Sequence, residues 1–155
     1  MVRVVSRRSV AVAMAAVLAA WALALWGGPA EAARRRSLTV VDTVSLSLVR
    51  KNGNVLYERG TASGNLPGTV SARFTTSLTQ VTGTITFYPY SGGSITMTAV
   101  GYPQSTSRIT RLTGNLAVRS GTGRFARALG SGTFSGTANR RNWSVTVNAR
   151  VNMTY

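Results

Sequence analysis

The chain has 155 residues, eighteen Lys or Arg against three Asp or Glu, and no Cys or His, for a net charge of +15. That length supports one domain with a real core. The missing residue types exclude disulfides, Cys- or His-ligated zinc, copper or haem, and any His- or Cys-dependent catalytic triad.

The N-terminus reads as an export signal. Arg3, Arg7 and Arg8 precede an uncharged, Ala-rich stretch from Val10 to Trp26, followed by Gly27-Gly28-Pro29 and Ala30-Glu31-Ala32. A positive region, an apolar region and a small-x-small site in that order predict a signal helix over residues 1–32, cleaved after Ala32. Ser6-Arg7-Arg8 also resembles a twin-arginine signal, so the route stays open between general and folded export. The predicted destination is secreted or associated with the cell envelope, outside the cytoplasm, with no transmembrane segment in the mature chain. Residues 33–37 form a basic tail, and residues 38–155 form the domain.

Strand periodicity then runs through the domain. From Leu38 to Arg50, alternate residues Val40, Asp42, Val44, Leu46, Leu48 and Arg50 share a face. Asn52-Gly53 predicts a hairpin turn, because both central positions adopt positive φ readily. A second strand spans Val55 to Ser63, with Leu56, Glu58, Gly60 and Ala62 on one face. A third runs from Thr69 to Leu78, with Val70, Ala72, Phe74 and Leu78 on one side. The fourth covers Val81 to Tyr88. Ile95, Met97 and Ala99 mark the fifth, and Leu112, Gly114, Leu116 and Val118 the sixth. The seventh spans Gly130 to Ala138.

The eighth is the clearest: Trp143, Val145, Val147, Ala149, Val151, Met153 and Tyr155 alternate with polar residues without a break. Eight strands joined by short turns predict an all-β fold, an eight-stranded antiparallel up-and-down β-barrel. An apolar face on such strands suits either a filled interior or a lipid-facing wall. The short, Thr-rich, Gly-interrupted strands favour the first.

Between the sixth and seventh strands lies Ser120-Gly121-Thr122-Gly123-Arg124-Phe125-Ala126-Arg127-Ala128-Leu129-Gly130. Gly121 and Gly123 suit a tight turn with positive φ. Phe125 is placed to plug one barrel end. The segment lacks the Lys-Ser/Thr ending of a phosphate-binding loop. It resembles the corresponding turn of the allene oxide cyclase-like and dirigent-like barrel family, most closely its small exported bacterial members. The likeness is specific over residues 111–138 and topological elsewhere.

That resemblance implies a barrel able to hold a hydrophobic or phenolic small molecule. It also implies pocket carboxylates, as in the cofactor-free cyclases and the coupling-directing proteins of the family. Only Val41-Asp42-Thr43 aligns with such a carboxylate, and the His that precedes it in dirigent proteins is absent.

Asp42 and Glu58 are therefore the candidate ligand-binding residues. They are the only acids after the cleavage site, and both fall on apolar strand faces, where desolvation raises a carboxyl pKa. The alternative is a structural ion pair, with Arg50 the natural partner of Asp42. No metal or cofactor is expected and no catalytic residue is assigned. Three functions remain: a binding module for a hydrophobic or phenolic small molecule, a cofactor-free isomerase or cyclase, and a structural or adhesive envelope protein. The dispersed cations are expected to attract acidic polymers or surfaces non-specifically. They form no aromatic-basic ladder, so no specific nucleic acid is expected.

Overall fold

The computed structural model describes residues 35–155; the segment predicted as a signal, its expected cleavage site and Arg7-Arg8 lie outside the described residues. Eight strands follow one another: β1 (Ser37–Asn52), β2 (Val55–Gly64), β3 (Gly68–Thr76), β4 (Val81–Pro89), β5 (Ser94–Pro103), β6 (Ile109–Thr122), β7 (Leu129–Asn139) and β8 (Ser144–Thr154). Each pairs antiparallel with the next, and β8 pairs with β1, closing an up-and-down barrel. The β1–β8 seam runs from Ser37–Thr154 to Leu46–Val145. Closure leaves no strand edge unpaired, which removes the usual route to edge-to-edge association.

Alternation sorts the side chains as expected. Val40, Leu46, Leu56, Val70, Phe87, Ile95, Leu116, Val147 and Val151 are buried inside, while Thr39, Thr43, Thr146, Asn148 and Arg150 face outward. This apolar-in, polar-out order is the reverse of a lipid-facing barrel wall. On the outer wall, Thr39 and Thr43 of β1 each donate to an Asn of β8, Asn152 and Asn148, at 2.8 Å.

Four details depart from the strand pattern. β1 carries a bulge between Leu48 and Arg50, so one extra residue flips the parity and Arg50 faces outward, 4.3 Å above the Tyr57 ring. Leu78 is not on an inner strand face: β3 stops at Thr76, and Leu78 stands exposed in the β3–β4 turn. Trp143 precedes β8 at a positive φ of 54°, inside the turn. The basic tail is also shorter than expected, because Arg36 exchanges backbone hydrogen bonds with Tyr155 and extends the seam.

The turn singled out in the sequence seals one end. Gly123–Phe125 forms a single 3-10 turn, and Gly123 has φ of 59°. Gly121 is not in the left-handed region; its hydrogen faces the carbonyls of Phe125 and Ser94, where a side chain has no room. Phe125 is fully buried, its ring centroid 5.0 Å from that of Tyr155. Leu66, Ala128 and Met153 belong to the same buried cluster. Core and hydrogen-bond ladder are thus complete within residues 35–155, which form a compact unit.

Candidate functional site

The other end is open. An internal cavity of about 460 Å³ extends from there into the barrel, lined chiefly by Val, Leu, Ile, Phe, Met and Ala side chains. Its space arises from the sequence of β7. The inner face of that strand is Gly130, Gly132, Phe134, Gly136 and Ala138, so three of five positions project nothing inward. Phe134 lies across Gly114 of β6, where a β-carbon would sit 2.6 Å from its ring. The result is a wall that is thin along β7 and bulky on the facing strands.

Both predicted site residues line this cavity, in different states. Glu58 is 1% exposed, and its Oε2 has no hydrogen-bond partner. Burial alone pushes its carboxyl from 4.5 up to about 7; no nearby charge offsets the desolvation. Near neutrality the group is therefore poised between a carboxylic acid and a carboxylate.

Asp42 is 5% exposed but anchored, since the Leu66 amide donates to its Oδ1 at 3.1 Å. Burial raises its pKa, and hydrogen bonds from the Leu66 and Asn65 amides hold the rise back. Asn65 reinforces the same junction: its amide nitrogen donates to the Thr39 carbonyl at 2.7 Å, and its Oδ1 accepts from the Val41 amide at 2.9 Å. Asp42 thus fastens the β2–β3 loop across the closed end.

The two acids are not a catalytic pair. In the β1–β2 register Asp42 lies opposite Gly64 and Glu58 opposite Leu48. Six residues of strand separate those levels, or about 20 Å at ~3.4 Å per residue. The anticipated Arg50 partner is out of reach of Asp42, eight residues or about 27 Å along the same strand at ~3.4 Å per residue, and the β1 bulge turns it outward as well.

Three mouth residues escaped the sequence reading. Arg140 and Trp143 line the cavity beside its opening, and Thr110 is buried in its wall. Thr110 Oγ1 accepts from the Ser105 amide at 3.2 Å and donates to the Ser105 carbonyl at 3.0 Å, bracing the β5–β6 loop. Arg140 donates to that same carbonyl at 3.2 Å and, through its backbone amide, to the Arg108 carbonyl at 2.7 Å. Parity carried the signal for Arg140, which continues the inner series Gly136, Ala138.

No protein-family model matches the chain, and no curated protein matches it. The functional reading therefore rests on the cavity itself. Among the described residues no cluster of three potential metal ligands occurs, and no helix is long and apolar enough to cross a membrane.

Proposed function

We propose that this protein is an exported β-barrel binding module for a hydrophobic or phenolic small molecule. One observation carries the reading: a buried carboxyl oxygen without a partner, Glu58 Oε2, in the wall of a chiefly apolar cavity of about 460 Å³. That volume falls within the roughly 300–1,000 Å³ typical of small-molecule sites, where a few polar groups orient a mostly apolar ligand. A phenol or other single hydroxyl would give Glu58 the hydrogen bond it lacks. The buried Phe125 in its Gly-rich turn supports placing the chain with the allene oxide cyclase-like barrels.

Titrating the barrel with a neutral fluorescent probe such as N-phenyl-1-naphthylamine tests the reading. Saturable one-to-one binding is expected, displaced by simple phenols. Ala138→Trp, which puts a large ring on the inner face near the mouth, is expected to weaken it at least about tenfold, which is about 1.4 kcal/mol. Probe affinity unchanged by Ala138→Trp rejects the cavity as the site.

A second reading, a cofactor-free isomerase or cyclase, is favoured by the pKa of Glu58 alone. A carboxyl near 7 suits a general acid or base at neutral pH. Under that reading Glu58→Gln keeps probe binding and abolishes turnover of any substrate found. The adhesive reading draws its support from the basic outer wall, and it needs no cavity.

A further inference from the structure

The rim of the cavity combines cations with exposed apolar side chains around its opening. Lys51 beside the β1–β2 turn, Arg108 in the β5–β6 loop, and Arg140 and Arg141 after β7 bring cations to the open end. Between them stand apolar side chains in water. Leu78 is 82% exposed, the most exposed large hydrophobic residue described, and Ile109 is 62% exposed. Trp143 sits at the same rim with the Lys51 ammonium 4.4 Å from its ring centroid.

The position of Trp143 is built. A β-turn residue at positive φ is strained unless it is Gly or Asn. Here the turn is clamped on both sides. Asn139 Oδ1 accepts from the Arg141 amide at 3.0 Å, and Asn142 Oδ1 accepts from the Ser144 amide at 3.2 Å and its hydroxyl at 2.9 Å. An indole held this way among cations and exposed aliphatic tips has the composition of an interfacial anchor. Such a ring rests at headgroup depth while Lys and Arg reach the phosphates.

Charge selects the partner. Both acidic side chains of the barrel are internal, so the described outer surface presents none. Two copies meeting mouth to mouth would bring their cations face to face. A purely polar polyanion gains nothing from Leu78, Ile109 and Trp143. We infer that the open end of the barrel docks on an anionic lipid bilayer, with Leu78 and Trp143 entering the headgroup region and Lys51, Arg108 and Arg141 holding lipid phosphates. This orientation brings the cavity mouth against the membrane, and it stands whether or not the cavity takes a ligand.

The test uses residues 33–155, since the barrel closes its own core and the apolar Val10–Trp26 stretch would itself partition into lipid. Trp143 is then the sole tryptophan and reports its own environment. With phosphatidylcholine vesicles containing phosphatidylglycerol, its emission is expected to shift to the blue and to be quenched by bromine-labelled acyl chains. Phosphatidylcholine alone should do neither.

Substituting Lys51→Gln, Arg108→Gln and Arg141→Gln together is expected to lower vesicle affinity at least tenfold. The equal-charge control at the closed end, Arg36→Gln, Arg124→Gln and Arg127→Gln, should keep both affinity and blue shift. Leu78→Ser should reduce quenching with the net charge intact. Equal losses from the two triple variants, each checked for its β-sheet circular dichroism, overturn the proposal in favour of undirected electrostatic adsorption. So does vesicle binding without quenching of Trp143.

Discussion

Glu58 sets a pH dependence whose sign follows from its burial. Its pKa is about 7 in the folded chain against 4.5 as reference, so the folded state holds a proton that the unfolded state releases. The associated stability is complete below pH 4.5 and is lost as pH rises through 7. The span of about 2.5 units corresponds to about 3 kcal/mol. Thermal midpoints followed by circular dichroism should fall between pH 5 and 8, and Glu58→Gln should flatten that fall and melt higher than the parent at pH 8. Parallel curves for parent and variant would show that Glu58 is not the titrating group.

Asp42 calls for a different substitution. Asp42→Ala leaves the Leu66 amide without its acceptor, at an expected loss of about 1–3 kcal/mol. Asp42→Asn keeps an acceptor and should lose less. A drop in probe affinity for Asp42→Asn at unchanged thermal midpoint would instead assign Asp42 to the ligand. The inward direction of both acids was legible from residue parity in β1 and β2. Their partners were not, because Arg50 lies eight residues further along β1 and turns outward after a one-residue bulge, while Leu66, two residues past the end of β2, supplies the amide that donates to Asp42.

At the scale of the element, alternation located all eight strands, and it failed at the β1 bulge and where strands end. Leu78 keeps the parity of Phe74 yet lies beyond the last rung of the β3–β4 ladder. Trp143 keeps the parity of Val145 yet belongs to a turn set by two Asn side chains. Parity records which face a residue would take if the strand continued, and hydrogen bonding in three dimensions decides whether it does.

The inner glycines of β7 make an element-level prediction. A β-carbon at Gly132 would sit 2.7 Å from the Val151 Cα, on the neighbouring strand's backbone, so the strands must part to admit it. Gly132→Ala is expected to destabilise the barrel by roughly 1–3 kcal/mol, as overpacking does. Urea unfolding measures this, and an unchanged midpoint would mean that β7 and β8 separate freely there.

For the molecule as a whole, the seam between the first and last strands completes the sheet. Because β1 and β8 each have two neighbours, their amides should exchange as slowly as those of β3 and β6 in hydrogen-exchange mass spectrometry. Faster exchange along Ser37–Leu46 would mean that the seam opens before the rest. Closure was readable from the even number of strands and their short connections. The open interior was not, since it depends on how three glycines on β7 sum against the bulk of the opposite wall.

Phe125 and Tyr155 stop one end of that interior, which makes the barrel a blind tube. Whatever enters must back out along the same track, so arrival and departure cross one shared barrier. Narrowing the doorway, as with Leu78→Trp, should then slow uptake and release by the same factor and leave the equilibrium constant untouched, while changes near Glu58 should alter residence time alone. Stopped-flow mixing separates the two classes: the doorway acts as a clock, and the depths act as a balance.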